Sequence, residues 1–160
     1  MTINVIFACD EQYGIGYKND LPWPKNAADM LWFKNNTSGG VVVMGRKTWE
    51  SIGCRKLPNR HNVVISNKNI SGPDEVVSGD IGDILKGLEK KFCDLKIWVI
   101  GGADIYRQSL PYCNNLYLTK FKETYDCDTF IQPTWIEEFK VLAIKKTEDV
   151  DFMIMSKITY

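Results

Sequence analysis

The chain has 160 residues, with 20 basic and 20 acidic side chains, so no net field draws it to nucleic acid or an anionic membrane. That length suits one domain able to bury about two-thirds of its unfolded surface, and 44% hydrophobic with 25% charged residues is ordinary for a globular protein. One histidine, His61, argues against a histidine-based metal site or a Ser-His-Asp triad, and five cysteines without a CxxC pair read as reduced thiols of a cytoplasmic protein.

Ile3 to Cys9 is a continuous apolar run, the pattern of a strand covered on both faces. Asp10-Glu11 then comes too early for a signal peptide, and no apolar run nears the ~18 residues of a membrane span. A glycine-bounded loop runs from Gly14 to Leu21-Pro22-Trp23. Asn26 to Asn36 reads as a helix with Asn26 as N-cap and Asp29 three residues on. Val41 to Met44 is a second buried strand, ending at Gly45 where a short helix begins. Asn62 to Ser66 and Glu75 to Ser78 read as strands, and Asp83 to Phe92 has helical spacing through Ile84, Leu85, Leu88 and Phe92. Lys96 to Ile100 is the next strand, followed by Gly101-Gly102 and a helix through Tyr106 to Leu110, closed by Pro111. Leu116 to Lys120, Phe139 to Lys145 and Phe152 to Ile158 complete the strands, the last two as an antiparallel hairpin turning at Glu148–Asp151. The sum is an α/β domain with a largely parallel sheet and an antiparallel edge.

Three strand-to-helix or loop-to-helix junctions carry the chemistry, because open α/β sheets bind ligands at the carboxyl ends of their strands. Arg46 and Lys47 put two cations in a first helical turn, where the macrodipole favours anions. Either a phosphate sits there or the charges are simply solvated. Gly101-Gly102 leaves backbone free to approach a ligand, or makes a tight turn. Asp29 shares a helix face with Phe33, beside Met30, so it can offer a carboxylate to an amidine-like heterocycle edge. Its spacing from Asn26 also fits a plain capping pair. Neither Gly14-Ile15-Gly16 nor Gly101-Gly102 completes a dinucleotide fingerprint, and no Walker lysine motif exists.

The ordered segments Gly-Ile-Gly (14–16), Leu-Pro-Trp (21–23), 29–37, Val-Met-Gly-Arg-Lys-Thr-Trp-Glu-Ser-Ile-Gly (43–53), Leu-Pro-Asn-Arg (57–60), Ile-Gly-Gly-Ala-Asp-Ile-Tyr (100–106) and Leu-Tyr-Leu-Thr (116–119) resemble the dihydrofolate reductase family over essentially the whole chain. The resemblance implies a single domain over 1–160 with a central, mostly parallel eight-stranded sheet, an antiparallel C-terminal edge and flanking helices. It implies NADPH-dependent reduction of 7,8-dihydrofolate, and a monomer bound by antifolate inhibitors but by no metal, nucleic acid or membrane. Ending at Tyr160, the chain is expected to leave no room for a fused thymidylate synthase. Another pterin or pyrimidine reductase on the same fold, and a non-catalytic folate- or nucleotide-binding protein, are the alternatives.

Residue by residue, the resemblance gives Asp29 the role of the acid that binds the pterin amino edge and promotes N5 protonation, with Thr119 bonded to it. Leu21 and Trp23 join them as the end of a lid that spans 14–23 and closes over the nicotinamide. Ile6, Phe7, Met30, Phe33, Ile52, Leu57 and Ile100 would line the substrate pocket, and Arg60 would grip the glutamate α-carboxylate. The cofactor would meet Ala8, Ile15, Gly16, Asn19, Asp20 and Leu21 on the lid side. Gly45, Arg46, Lys47 and Thr48, with Ser66, Asn67 and Lys68, would surround its adenosine and phosphates. Ile100, Gly101, Gly102, Ala103, Asp104, Ile105 and Tyr106 would hold the pyrophosphate and nicotinamide, with a cis peptide at 101–102.

Overall fold

A computed structural model describes residues 3–158. Along the chain lie β1 (Ile3–Cys9), β2 (Gly14–Gly16), α1 (Ala27–Thr37), β3 (Val41–Gly45), α2 (Arg46–Ser51), β4 (His61–Ile65) and β5 (Glu75–Val77). They are followed by α3 (Ile81–Lys91), β6 (Ile97–Gly101), α4 (Ala103–Ser109), β7 (Asn115–Phe121), β8 (Thr129–Phe130), β9 (Phe139–Lys146) and β10 (Val150–Lys157).

Eight strands form one sheet in the order β5-β4-β3-β6-β1-β7-β10-β9. β10 runs antiparallel to both its neighbours, and the other pairings are parallel. The sheet is therefore the mostly parallel one with an antiparallel C-terminal edge that the sequence implies. β6 inserts between β1 and β3, so the carboxyl ends of these three strands meet at one crevice.

The central strands are apolar on both faces because both faces are covered. Val41, Val42, Val43 and Met44 are all fully buried. One face gathers Val5, Phe7, Val43, Val99, Leu85 and Leu116; the other gathers Ile6, Val42, Met44, Trp49 and Trp98.

Some element bounds differ from the sequence reading. The helix expected at 83–92 begins at Ile81, because the side chain of Asp80 accepts the Asp83 N–H at 3.1 Å and caps it. The final strand begins at Val150, inside the expected turn, because the Thr147 hydroxyl accepts the Val150 N–H and donates to the Val150 carbonyl, closing the turn early. The small β2–β8 sheet was not anticipated: strands of three and two residues are too short to show a period.

Candidate active site

Asn26 caps α1 by accepting the Asp29 N–H at 2.9 Å, so capping uses the backbone of residue 29 and leaves its carboxyl to other work. Asp29, Trp32, Phe33 and Asn36 are half-buried and Thr37 fully buried, a helical stripe turned to the sheet. Met30 and Leu31 lie off that stripe, at 53% and 56% exposure. The stripe thus opens with an acid where an apolar residue would ordinarily sit. Trp32 fixes the helix by packing on Phe152 and Tyr117, with ring centroids 4.9 and 6.0 Å apart.

The buried hydroxyl of Thr119 on β7 reaches the Asp29 carboxyl. Burial pushes the acid above the ordinary carboxylate range, and the Thr119 hydrogen bond offsets only part of that rise. Ile6, Phe33, Ile52, Leu57 and Ile100 converge in one apolar cluster beside it, backed by Trp49 and Trp98. Phe7 does not belong to this wall. Successive strand residues point to opposite faces, and Phe7 packs on Tyr106 across the sheet, centroids 5.2 Å apart. Met30, with its side chain outward, borders the wall rather than forming it.

Arg60 is held at the far end of the same wall. Its Nε donates to the Pro58 carbonyl at 2.9 Å and its Nη1 to the Thr37 hydroxyl at 3.0 Å, while its carbon centre lies 6.0 Å over the Phe33 ring. These contacts fix the guanidinium plane and leave donors on its remaining edge for a carboxylate.

On the other side of Ile100 opens a cleft of about 600 Å³. Its walls include Phe7, Ala8, Ile15, Gly16, Asn19, Asp20, Leu21, Gly45 to Thr48, and Ile100 to Tyr106. The Gly101-Gly102 peptide is cis, and Gly101 has φ +126°. A Cβ on Gly101 would come within 3.2 Å of the Tyr106 hydroxyl and 3.4 Å of the Thr48 hydroxyl, so glycine keeps both the backbone and the space open. Tyr106 is itself fixed, its buried hydroxyl donating to the Ile6 carbonyl at 3.0 Å.

Asp104 does not set a free charge against an anion here, because Arg107 and Gln108 of its own helix bind its carboxylate at 2.6 and 2.8 Å. Arg46 pairs with Glu50 at 2.9 Å, a local partner that the spacing of four residues already signals. Lys47 stands exposed at the cleft wall.

Ser66, Asn67 and Lys68 follow β4 but do not line the cleft. The Ser66 hydroxyl instead accepts the Lys68 N–H at 3.1 Å, closing a local turn. Ser51, Ile65 and Thr129 do line it and were missed by sequence reasoning. Ile65 could have been found as the residue ending β4; Thr129 arrives from β8, whose shortness hides it.

The 14–23 loop is tied at both ends. Tyr13, Lys18 and Asn19 take left-handed backbone, and the Lys18 N–H donates to the Asp128 carboxylate at 2.9 Å. Leu21 is 55% exposed over the cleft mouth. Trp23 is an anchor: buried, stacked on Phe121 at 4.4 Å and set edge-on to Tyr125 at 5.9 Å. Its indole N–H has no protein acceptor among the described residues.

A family model described as dihydrofolate reductase matches residues 2–158. A dihydrofolate reductase of Buchnera aphidicola subsp. Baizongia pistaciae (strain Bp) is 37% identical over 172 residues, spanning 99% of this chain and 100% of the relative. The Bacillus subtilis (strain 168) dihydrofolate reductase is 42% identical over 134 residues, 79% of this chain and 73% of the relative. A solved dihydrofolate reductase from Enterococcus faecalis, complexed with NADP(H) and RAB-propyl, matches with a TM-score of 0.84 at 28% identity, covering 98% of this chain and 96% of that one.

Proposed function

The chain belongs to the dihydrofolate reductase family, and from that premise we propose that it reduces 7,8-dihydrofolate to 5,6,7,8-tetrahydrofolate with NADPH. The observation that carries this reading is the position of Ile100, which belongs to the apolar cluster beside Asp29 and also lines the glycine-walled cleft. A flat substrate ring on one side of it and a flat nicotinamide on the other would be in contact, and hydride transfer depends chiefly on such positioning.

NADPH, when bound, supplies the hydride that C6 of the pterin accepts while N5 takes a proton. The residues present fit that cofactor: the Gly101 cradle would be filled by any Cβ, α4 begins directly after it, and Arg46 and Lys47 line the same cleft as cations that would meet a phosphate. Those two cations are the basis for preferring NADPH over NADH. On the substrate side, Asp29 and Thr119 would bind the amino edge of the pterin; Ile6, Phe33, Ile52, Leu57 and Ile100 would sandwich its ring and the aminobenzoyl group. Arg60 would take the glutamate carboxylate bidentately.

Asp29 would bind the ring at the edge remote from N5. Its charge therefore raises the basicity of N5, and a water admitted past the Leu21 loop delivers the proton. Burial holds that carboxyl above its ordinary range, and the Thr119 hydrogen bond offsets part of the rise. Loop motion would govern access to the reacting atoms. We further read residues 1–160 as a single, monomeric catalytic domain working in the cytoplasm on a small-molecule substrate and open to antifolate inhibitors.

The test is the loss of reduced-nicotinamide absorbance when the protein meets dihydrofolate with NADPH or with NADH. Rapid turnover favouring NADPH by at least tenfold is the expected result. Tight binding of both ligands without turnover would instead mean a folate- or nucleotide-binding protein.

A further inference from the structure

Asp10 follows β1 directly and is fully buried, an uncommon site for a carboxylate. Four donors surround it. Oδ1 accepts the N–H groups of Gln12 at 2.9 Å and Gly14 at 2.8 Å. Oδ2 accepts the Tyr125 N–H at 2.9 Å and faces the Cys127 thiol at 3.6 Å. Burial pushes the acid upward, yet the backbone donors of Tyr125, Gly14 and Gln12, with Cys127, outweigh it and hold the carboxyl below its usual range.

The two oxygens serve different stretches of chain. Oδ1 organises the start of the 14–23 loop, and Oδ2 captures a segment 115 residues away. Each stretch then contributes to the same cleft: Ile15, Gly16, Asn19, Asp20 and Leu21 from the first, Thr129 from the second. The two are pressed together at Gly14, where a Cβ would fall 2.3 Å from the Cys127 sulfur. Beyond that point the Asp128 N–H donates to the Gly16 carbonyl, and the Ile131 N–H to the Tyr13 carbonyl, each at 2.9 Å.

A carboxylate that only closed the 10–14 turn would need Oδ1 alone. The turn already has backbone bonds from Asp10 N–H to the Gly14 carbonyl at 3.0 Å and from Tyr13 N–H to the Asp10 carbonyl at 3.1 Å. The Oδ2 half is the part a local turn does not require.

We propose that Asp10 is a positioning residue for cofactor binding, whose two carboxylate oxygens join the 14–23 loop and the 125–129 segment into one cleft wall. This rests on the reading of the cleft as the NADPH site. Residue 10 does not line the cleft; it acts through Gly14 and Tyr125.

Two substitutions separate the halves. In Asp10→Ser the shorter hydroxyl still reaches the Gln12 and Gly14 N–H groups but not Tyr125. In Asp10→Asn an amide NH₂ meets the N–H donors of one of the two stretches. Both variants should bind NADPH about tenfold more weakly by fluorescence titration, while dihydrofolate affinity stays within about twofold. Unchanged NADPH affinity in Asp10→Ser would overturn the proposal, as would equal weakening of both ligands together with a lowered Tm. Should the variants fail to fold, amide exchange in the wild-type protein decides. NADPH should slow exchange at Gly14 and Tyr125 together, and no change at these two amides would overturn the proposal. Because these readouts are binding and exchange, they stand apart from turnover: wild-type protein that binds NADPH but does not reduce dihydrofolate would refute the proposed function and leave the role of Asp10 in place.

Discussion

The Tyr106 hydroxyl donates to the Ile6 carbonyl at 3.0 Å, joining two residues 100 positions apart inside the protein. The bond ties the helix that follows the glycine pair to the strand that carries Ile6 of the apolar wall, so the two regions proposed to bind substrate and cofactor share one fixed edge. Tyr106→Phe would remove the donor and keep the ring packed on Phe7. We expect a loss of about 1–3 kcal/mol, the cost of a buried acceptor left without its partner, and a raised KM for NADPH. Urea unfolding and steady-state kinetics check both.

Asp29 should trade stability for function. Its folded pKa lies above its unfolded value, so its stabilising contribution is full below the unfolded pKa and is lost as pH rises through the folded one. At neutral pH the buried charge is therefore a liability, and Asp29→Asn should unfold at a higher Tm than wild type. The difference should shrink on acidification toward pH ~4, where the native carboxyl is neutral as well. Thermal melts across that range measure it.

Arg60 should govern substrate binding rather than the chemical step. Arg60→Lys keeps a charge but loses the planar fork and the bonds to Thr37 and Pro58. The expected outcome is a KM for dihydrofolate raised about 10–100-fold with kcat little changed. A pterin substrate lacking the glutamate should show no such penalty. Kinetics with the two substrates decide.

Acid should weaken the fold through groups outside the proposed site. Backbone donation from Asn62 holds Asp74 low, and Glu75, raised by burial, is brought below its usual range by His61 and Lys91. Asp10 is depressed in the same sense. Depressed carboxylates contribute stability above their unfolded pKa and lose it as pH falls through the folded value, so the urea midpoint should drop between about pH 5 and pH 3. Glu75→Gln should flatten that slope.

Much of this architecture was legible because the central strands are buried on both faces, and runs such as Val41-Val42-Val43-Met44 read plainly. Asp29 was legible too, as an acid on an apolar helical stripe. The hidden parts have physical reasons. β2 and β8 are too short for periodicity, so Thr129 gave no sign that it lines the cleft. Phe7 and Ile6 are neighbours in sequence, yet the pleat sends them to opposite faces, which a resemblance between segments does not resolve. Ser66 to Lys68 follow a strand that reaches the cleft, and the local turn closed by the Ser66 hydroxyl has no signature in the segments that carry the resemblance. The partners of Asp10 at Tyr125 and Cys127 come from distant chain, so no local pattern announces them.

The most direct test of the central claim is the single-turnover rate of hydride transfer in wild type and Asp29→Asn, followed across pH with both ligands saturating. The account predicts a wild-type rate that falls as pH rises and protonation of N5 is lost. It predicts a variant slower by about 10²–10⁴-fold at neutral pH, with that fall moved to lower pH because the charge that raises N5 basicity is gone. A variant that matches wild type in rate and pH profile would contradict it.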